Sequence, residues 1–243
     1  MPRAFNMSKT QIEEMVSFTA LADREARSDL ALGYIANEND YTSNFTGALR
    51  RIINSNSKTG LEAKSFVLKG GDEQRLGCDA AIIIKSNDHC KISIFEAKWP
   101  RIMQKNYQWD YQQKSANGAS SSSHFTNQLD KQARVPKKVA IFEMFYCEAT
   151  FNSQPAYMDS SGSSCTWHDE TLRFNNRRPN RDANWNKNDL SMLLQQNSKS
   201  ISEIIYEICI CNKGEPTLSF DLEEMYHEFV LPDNILLISE QHE

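Results

Sequence analysis

The stretch Cys78-Asp79-Ala80-Ala81-Ile82-Ile83-Ile84-Lys85, the polar Ser86-Asn87-Asp88-His89 and then Lys91-Ile92-Ser93-Ile94-Phe95-Glu96-Ala97-Lys98 read as strand, turn, strand. In the second run Ile92, Ile94, Glu96 and Lys98 share one face, and Ser93, Phe95 and Ala97 share the other. Glu96 and Lys98 are therefore neighbours, roughly 7 Å apart at strand rise. If Asn87-Asp88 is a two-residue turn, which needs the positive φ that Asn and Asp tolerate, Ser86 pairs with His89 and Asp79 comes opposite Glu96. Opposed residues have Cβ atoms about 4.5–5.5 Å apart, and two carboxylates at that spacing repel unless a cation lies between them. A loop one residue longer shifts the register and moves Asp79 to the other face.

Mg²⁺ takes oxygen ligands, typically one or two carboxylates plus waters and substrate phosphate. Asp79 and Glu96 suit that role, with the Ala97 carbonyl as a third oxygen. Lys98 then positions or activates the attacking water, or stabilises developing negative charge. A second Glu-x-Lys, Glu62-Ala63-Lys64, has no aspartate strand before it and reads as a solvated strand entrance.

The Asp79 strand paired with the Glu96-x-Lys98 strand resembles the PD-(D/E)xK nuclease superfamily, with Cys78 standing where the superfamily's name has proline. The resemblance implies an α/β fold with a restriction-endonuclease-like core, a mixed central β-sheet flanked by helices. It also implies a glutamate on an upstream helix. Glu38 is the candidate, either in line with Thr42, Phe45, Leu49 and Ile52 on a helical stripe or just before a helix capped by Asp40 or Thr42. Downstream, Gln128 on the helix beginning near His124 matches the superfamily's supporting glutamine. The expected activity is metal-dependent hydrolysis of DNA by a type II restriction or defence-system endonuclease, with Mg²⁺ (Mn²⁺ substituting) and 5′-phosphate and 3′-hydroxyl products. Double-stranded DNA as the partner favours a homodimer, because one site cuts one strand. The alternative is a catalytically silent nucleic-acid- or protein-binding module of the same fold.

The 243 residues carry a net charge of −5, with 40% hydrophobic and 10% aromatic residues, enough for one packed core. The acidic balance argues against a sequence-blind polybasic DNA binder. No run approaches the ~18–20 apolar residues of a membrane span, and Met1–Met7 lacks a signal-peptide core, so a cytoplasmic location is expected. The six cysteines form no CxxC pair, and Cys165-x-x-His168 is the one zinc-like spacing; free thiols in a reducing compartment are the simpler expectation.

Ser8-Lys9-Thr10-Gln11 resembles a capping box opening a first helix, and strands are expected near 63–69, 78–86, 89–98 and 139–147. Gly70-Gly71 marks a turn, 101–113 suggests a short helix, and Ser115–Ser123 is low in complexity. Ser202–Cys211 fits strand or helix, Asp221–Phe229 a helix and Asn234–Ser239 a short strand. Residues 1–243 read as a single domain with an insertion or recognition region at about 150–200. Within it Arg173, Arg177, Arg178 and Arg181 with Trp185 suit DNA contact and base stacking, and Arg134, Lys137 and Lys138 suit phosphate.

Overall fold

The computed structural model describes residues 5–67, 76–105, 108–114, 121–218 and 231–240. The expected Gly70-Gly71 turn, most of the Ser-rich stretch and the Asp221–Phe229 helix fall outside them.

The chain opens with helix α1 (Lys9–Ala31), started by the Ser8/Gln11 capping box. Helix α2 (Glu38–Asn56) follows, with Asn37 accepting from the Asp40 amide as N-cap. Strands β1 (Leu61–Val67), β2 (Ala80–Ser86) and β3 (His89–Lys98) come next, then the short β4 (Gln112–Lys114) and β5 (Ser121–Ser123). Helix α3 (His124–Gln132) leads to β6 (Ala140–Phe145) and β7 (Ser164–Trp167), then helices α4 (His168–Arg177) and α5 (Lys187–Asn197). The chain continues through β8 (Lys199–Ser200), α6 (Ile201–Cys209), β9 (Thr217–Leu218) and β10 (Asn234–Glu240).

The fold is α/β, a mixed central sheet flanked by helices. Its strand order is β1-β10-β2-β3-β6-β7-β8, with β9 on the edge of β3. β2–β3 is antiparallel, whereas β10–β2 and β3–β6 are parallel. One face packs Ile82, Ile84, Phe95 and Phe142 against α1, α2 and α6. On the other, Ile83, Ile92 and Ile94 form one cluster and Phe125 and Leu129 of α3 join Phe145 in another. Covered on both faces, β2 and β3 read as nearly continuous apolar runs, as buried strands do.

The structure bears on three expectations. The described residues of 101–113 form turns and bends that lead into β4, which pairs with β5, and no helix is present among them. Ser202–Cys211 resolves as helix, because Ile201, Ile204, Ile205 and Ile208 fall at helical spacing on one buried stripe and Ser200/Glu203 cap its start. The stretch 150–200, expected to hold an insertion or recognition region, contributes two edge strands to the sheet: β7 pairs with β6 and β8 with β7.

Candidate active site

The hairpin turn is tight. Ser86 pairs with His89, Asn87 has φ 52°, and the ladder runs out to Ala80 opposite Phe95. The Asp79 amide donates to the Phe95 carbonyl at 2.9 Å, which carries the register one step further and sets Asp79 level with Glu96. The Ala97 amide donates to Asp79 Oδ2 at 2.7 Å. Lys98 O faces β6, where it accepts from the Tyr146 amide. By strand alternation the Ala97 carbonyl therefore points the other way, to the Asp79 side.

Glu96 and Lys98 are 1% and 6% exposed and form a close ion pair. The Gln128 side-chain amide donates to Glu96 Oε1 at 2.5 Å. Glu38 stands at the first position of α2, after its cap, and reaches the strand end from there: Oε1 accepts from the Trp99 amide at 2.9 Å and Oε2 lies 3.5 Å from Lys98 Nζ. Glu38 thus joins the site from the helix start, and neither Asp40 nor Thr42 caps the helix.

Asp79, Glu96 and Glu38 gather round the Lys98 ammonium at the buried floor, an excess of negative charge. Burial, and then the Asp79 carboxylate, push the Glu96 carboxyl well above its usual range, while Lys98 pulls it back. Burial works against the Lys98 charge, but Glu96, Glu38 and Asp79 outweigh it and hold the ammonium protonated well beyond its ordinary range. Among the described residues no three His, Cys, Asp or Glu side chains form a ready-made metal cage. The donor set instead fits a hard divalent cation held by Asp79 and Glu96, with the Ala97 carbonyl beside them and the remaining shell left to water and phosphate.

A cleft of about 370 Å³ opens onto this floor, lined by Asp79, Glu96, Gln128, Tyr111, His124 and Lys131. His124 stacks on Tyr111, with ring centroids 4.5 Å apart. Burial, and then the Lys98 charge, lower the His124 pKa. Sequence reasoning gave His124, Tyr111 and Lys131 no role; His124 and Lys131 lie on the helix that carries Gln128, and Tyr111 stands just before β4. It also missed Glu143, which registers with Glu96 on β6, is wholly buried, and lies 3.2 Å from His168 Nδ1. An apolar run hid Glu143.

The expected DNA-contact residues do not gather at this cleft. Trp185 is 1% exposed and packs edge-on to Phe125, so it is a core ring and not a stacking platform for bases. Arg178 lies over Trp185, donates to the Ala183 and Asn184 carbonyls and pairs with Asp189, so its guanidinium is structural. Arg181 pairs with Asp130. Arg173 and Arg177 line a separate cavity of about 370 Å³ between α4 and α5. Arg134 and Lys137 are exposed on the turn entering β6, and Lys138 adjoins them. That turn lies at the far end of the strands from the carboxylates, since β6 begins opposite Ser93 and runs toward Glu96. Cys165 packs on the α1/α2 face while His168 turns to Glu143, so their spacing makes no zinc pair.

No known protein family, curated protein or solved structure matches the chain. Among the described residues no helix is long and apolar enough to cross a membrane.

Proposed function

We propose that this chain is a metal-dependent endonuclease that hydrolyses DNA phosphodiester bonds, a restriction-endonuclease-like enzyme of the PD-(D/E)xK kind. The observation that carries the reading is the register of the β2–β3 hairpin, which sets Asp79 level with Glu96 beside Lys98. Three buried or half-buried carboxylates round one lysine are costly in a folded protein unless a cation answers them.

Asp79 and Glu96, with the Ala97 carbonyl, would hold Mg²⁺ or Mn²⁺. Such an ion supplies an acidified water and neutralises charge on the phosphate. Gln128 fixes the Glu96 carboxylate by its 2.5 Å hydrogen bond, so that oxygen is aimed before substrate arrives. Lys98 would serve as a donor and a positive charge toward the charge that develops on the phosphate, or would position the attacking water. Glu38 holds Lys98 from the other side and ties the end of β3 to the start of α2. The products are 5′-phosphate and 3′-hydroxyl ends. A homodimer would place two such sites on the two strands of a duplex, as a type II restriction or defence-system nuclease requires.

The test is cleavage of supercoiled plasmid in Mg²⁺ or Mn²⁺, beside EDTA and the Lys98→Ala variant. Metal-dependent nicking that falls about 10²–10⁴-fold in the variant supports the reading. A wild-type protein that neither cleaves nor gains thermal stability from the metal sinks it and favours a silent binding module of the same fold.

A further inference from the structure

Beside the site lies a buried hydroxyl without a partner among the described residues. The Tyr146 hydroxyl is buried and makes no hydrogen bond among the described residues. Tyr146 follows β6, and its amide donates to the Lys98 carbonyl at 3.1 Å, so the residue sits at the level of the Glu-x-Lys end. Its ring lies flat on Tyr41, with centroids 3.8 Å apart and planes within 3°. Tyr41 is itself fixed by donating to Asp23 at 2.8 Å. The ring therefore cannot swing away to find water. Burial, and then the Glu38, Asp79 and Glu96 charges, push its ionisation far up, so the hydroxyl remains a neutral donor; the Tyr146 ring lies 6.5 Å from that of Trp99, whose amide donates to Glu38. A buried donor without an acceptor is costly, and phenylalanine would keep the same stack without that cost.

We propose that Tyr146 is a positioning residue: in the cation-loaded site its hydroxyl donates to the Glu38 carboxylate. Glu38 shares the Lys98 ammonium with Glu96 and holds it only at 3.5 Å, so Glu38 has room for a closer donor. Tyr146 supplies it and keeps Glu38 aimed at the oxygens round the ion. The role rests on the metal-dependent reading of the site.

Isothermal titration of the full chain with Mn²⁺ tests it, comparing wild type, Tyr146→Phe, Glu38→Gln and the double variant, each with a melting curve before metal is added. Tyr146→Phe is expected to weaken Mn²⁺ binding about fivefold to tenfold, the loss of one hydrogen bond to a charged group. Its metal-free melting temperature should hold or rise. In the Glu38→Gln background the same change should cost nothing further, because the two act as one unit. Affinity within about twofold of wild type, an equal loss in both backgrounds, or a lowered metal-free melting temperature overturns the role. If wild type binds no Mn²⁺, the metal-dependent reading falls and this role with it. If wild type binds and Tyr146→Phe binds equally well, only the role of Tyr146 falls.

Discussion

Two clusters of buried charge sit in different parts of the molecule. Asp23 and Arg27 on α1 are 1% and 0% exposed; Glu96 and Lys98 at the end of β3 are 1% and 6%. Burial pushes both acids up, but the strongest neighbour acts in opposite directions in the two. Around Asp23 the Ser163 amide and hydroxyl donate at 2.6 Å, Tyr41 donates too, and the Arg27 charge pulls its carboxyl back down. Arg27 in turn donates to the Gly162 and Ala149 carbonyls and to Gln154, leaving only Nε unanswered. Around Glu96 the strongest neighbour is a second carboxylate, which pushes the same way as burial. The first cluster is closed on itself and locks α1 to the 149–163 loop. The second is open by a surplus of negative charge. A closed buried network does structural work, while an open one is built for something that arrives.

The sharpest way to break this contrast is to remove one acid from each cluster. Asp23→Ala strands its donors and the Arg27 charge, and should cost about 3–5 kcal/mol of stability by urea denaturation. Its cleavage rate per folded molecule should change little. Asp79→Ala should do the reverse, lowering plasmid cleavage by about 10²–10³ while the metal-free protein melts no lower than wild type. Equal loss of stability in both would erase the distinction. Gly162→Ala comes next: a Cβ there would overlap the Asp23 carboxylate, and the forced shift should cost about 1–3 kcal/mol in the same denaturation series.

A carboxylate belonging to neither cluster sets the scale. Partial burial of Glu14 works against its charge, but hydrogen bonds from Thr59, Lys58 and Ser57 outweigh it and hold the carboxyl below its usual value. A folded-state pKa below the unfolded one gives stability that is present above the ordinary glutamate range and lost as pH falls through the lowered value. Melting curves of Glu14→Gln and wild type should therefore differ at neutral pH and converge in acid. A gap that persists at low pH would assign the effect to packing.

The hairpin and its acids were legible because their causes are local: a turn that tolerates φ 52° at Asn87 fixes the register, and the register fixes which side chains face each other. Glu38 and Gln128 were legible as helix positions. Tyr146 and Glu143 were hidden because both sit in a run whose apolar content says only that it is a strand. Trp185 and Arg178 misled because a basic, Asn-rich composition looks solvated, whereas one arginine stacked on one tryptophan, with carbonyls to receive it, is a way of burying both. Strand β10 had a readable type but no readable place. Its neighbours β1 and β2 lie far away in sequence, and local pattern carries no information about such a pairing.

That placement governs how the sheet is finished. β10 slots between β1 and β2 and bonds to both, Leu236 meeting Ser65 on one side and Ile82 on the other. During synthesis the isoleucine-rich strand Ala80–Ser86 waits with one edge bare until the residues around 234–240 leave the ribosome. Contacts of such sequence separation form slowly. A chain halted before Asn234 keeps two open strand edges flanking a gap, the arrangement that recruits strands from other molecules. Such a chain should therefore accumulate as aggregate, and the cell would hold few half-made copies with a folded hairpin.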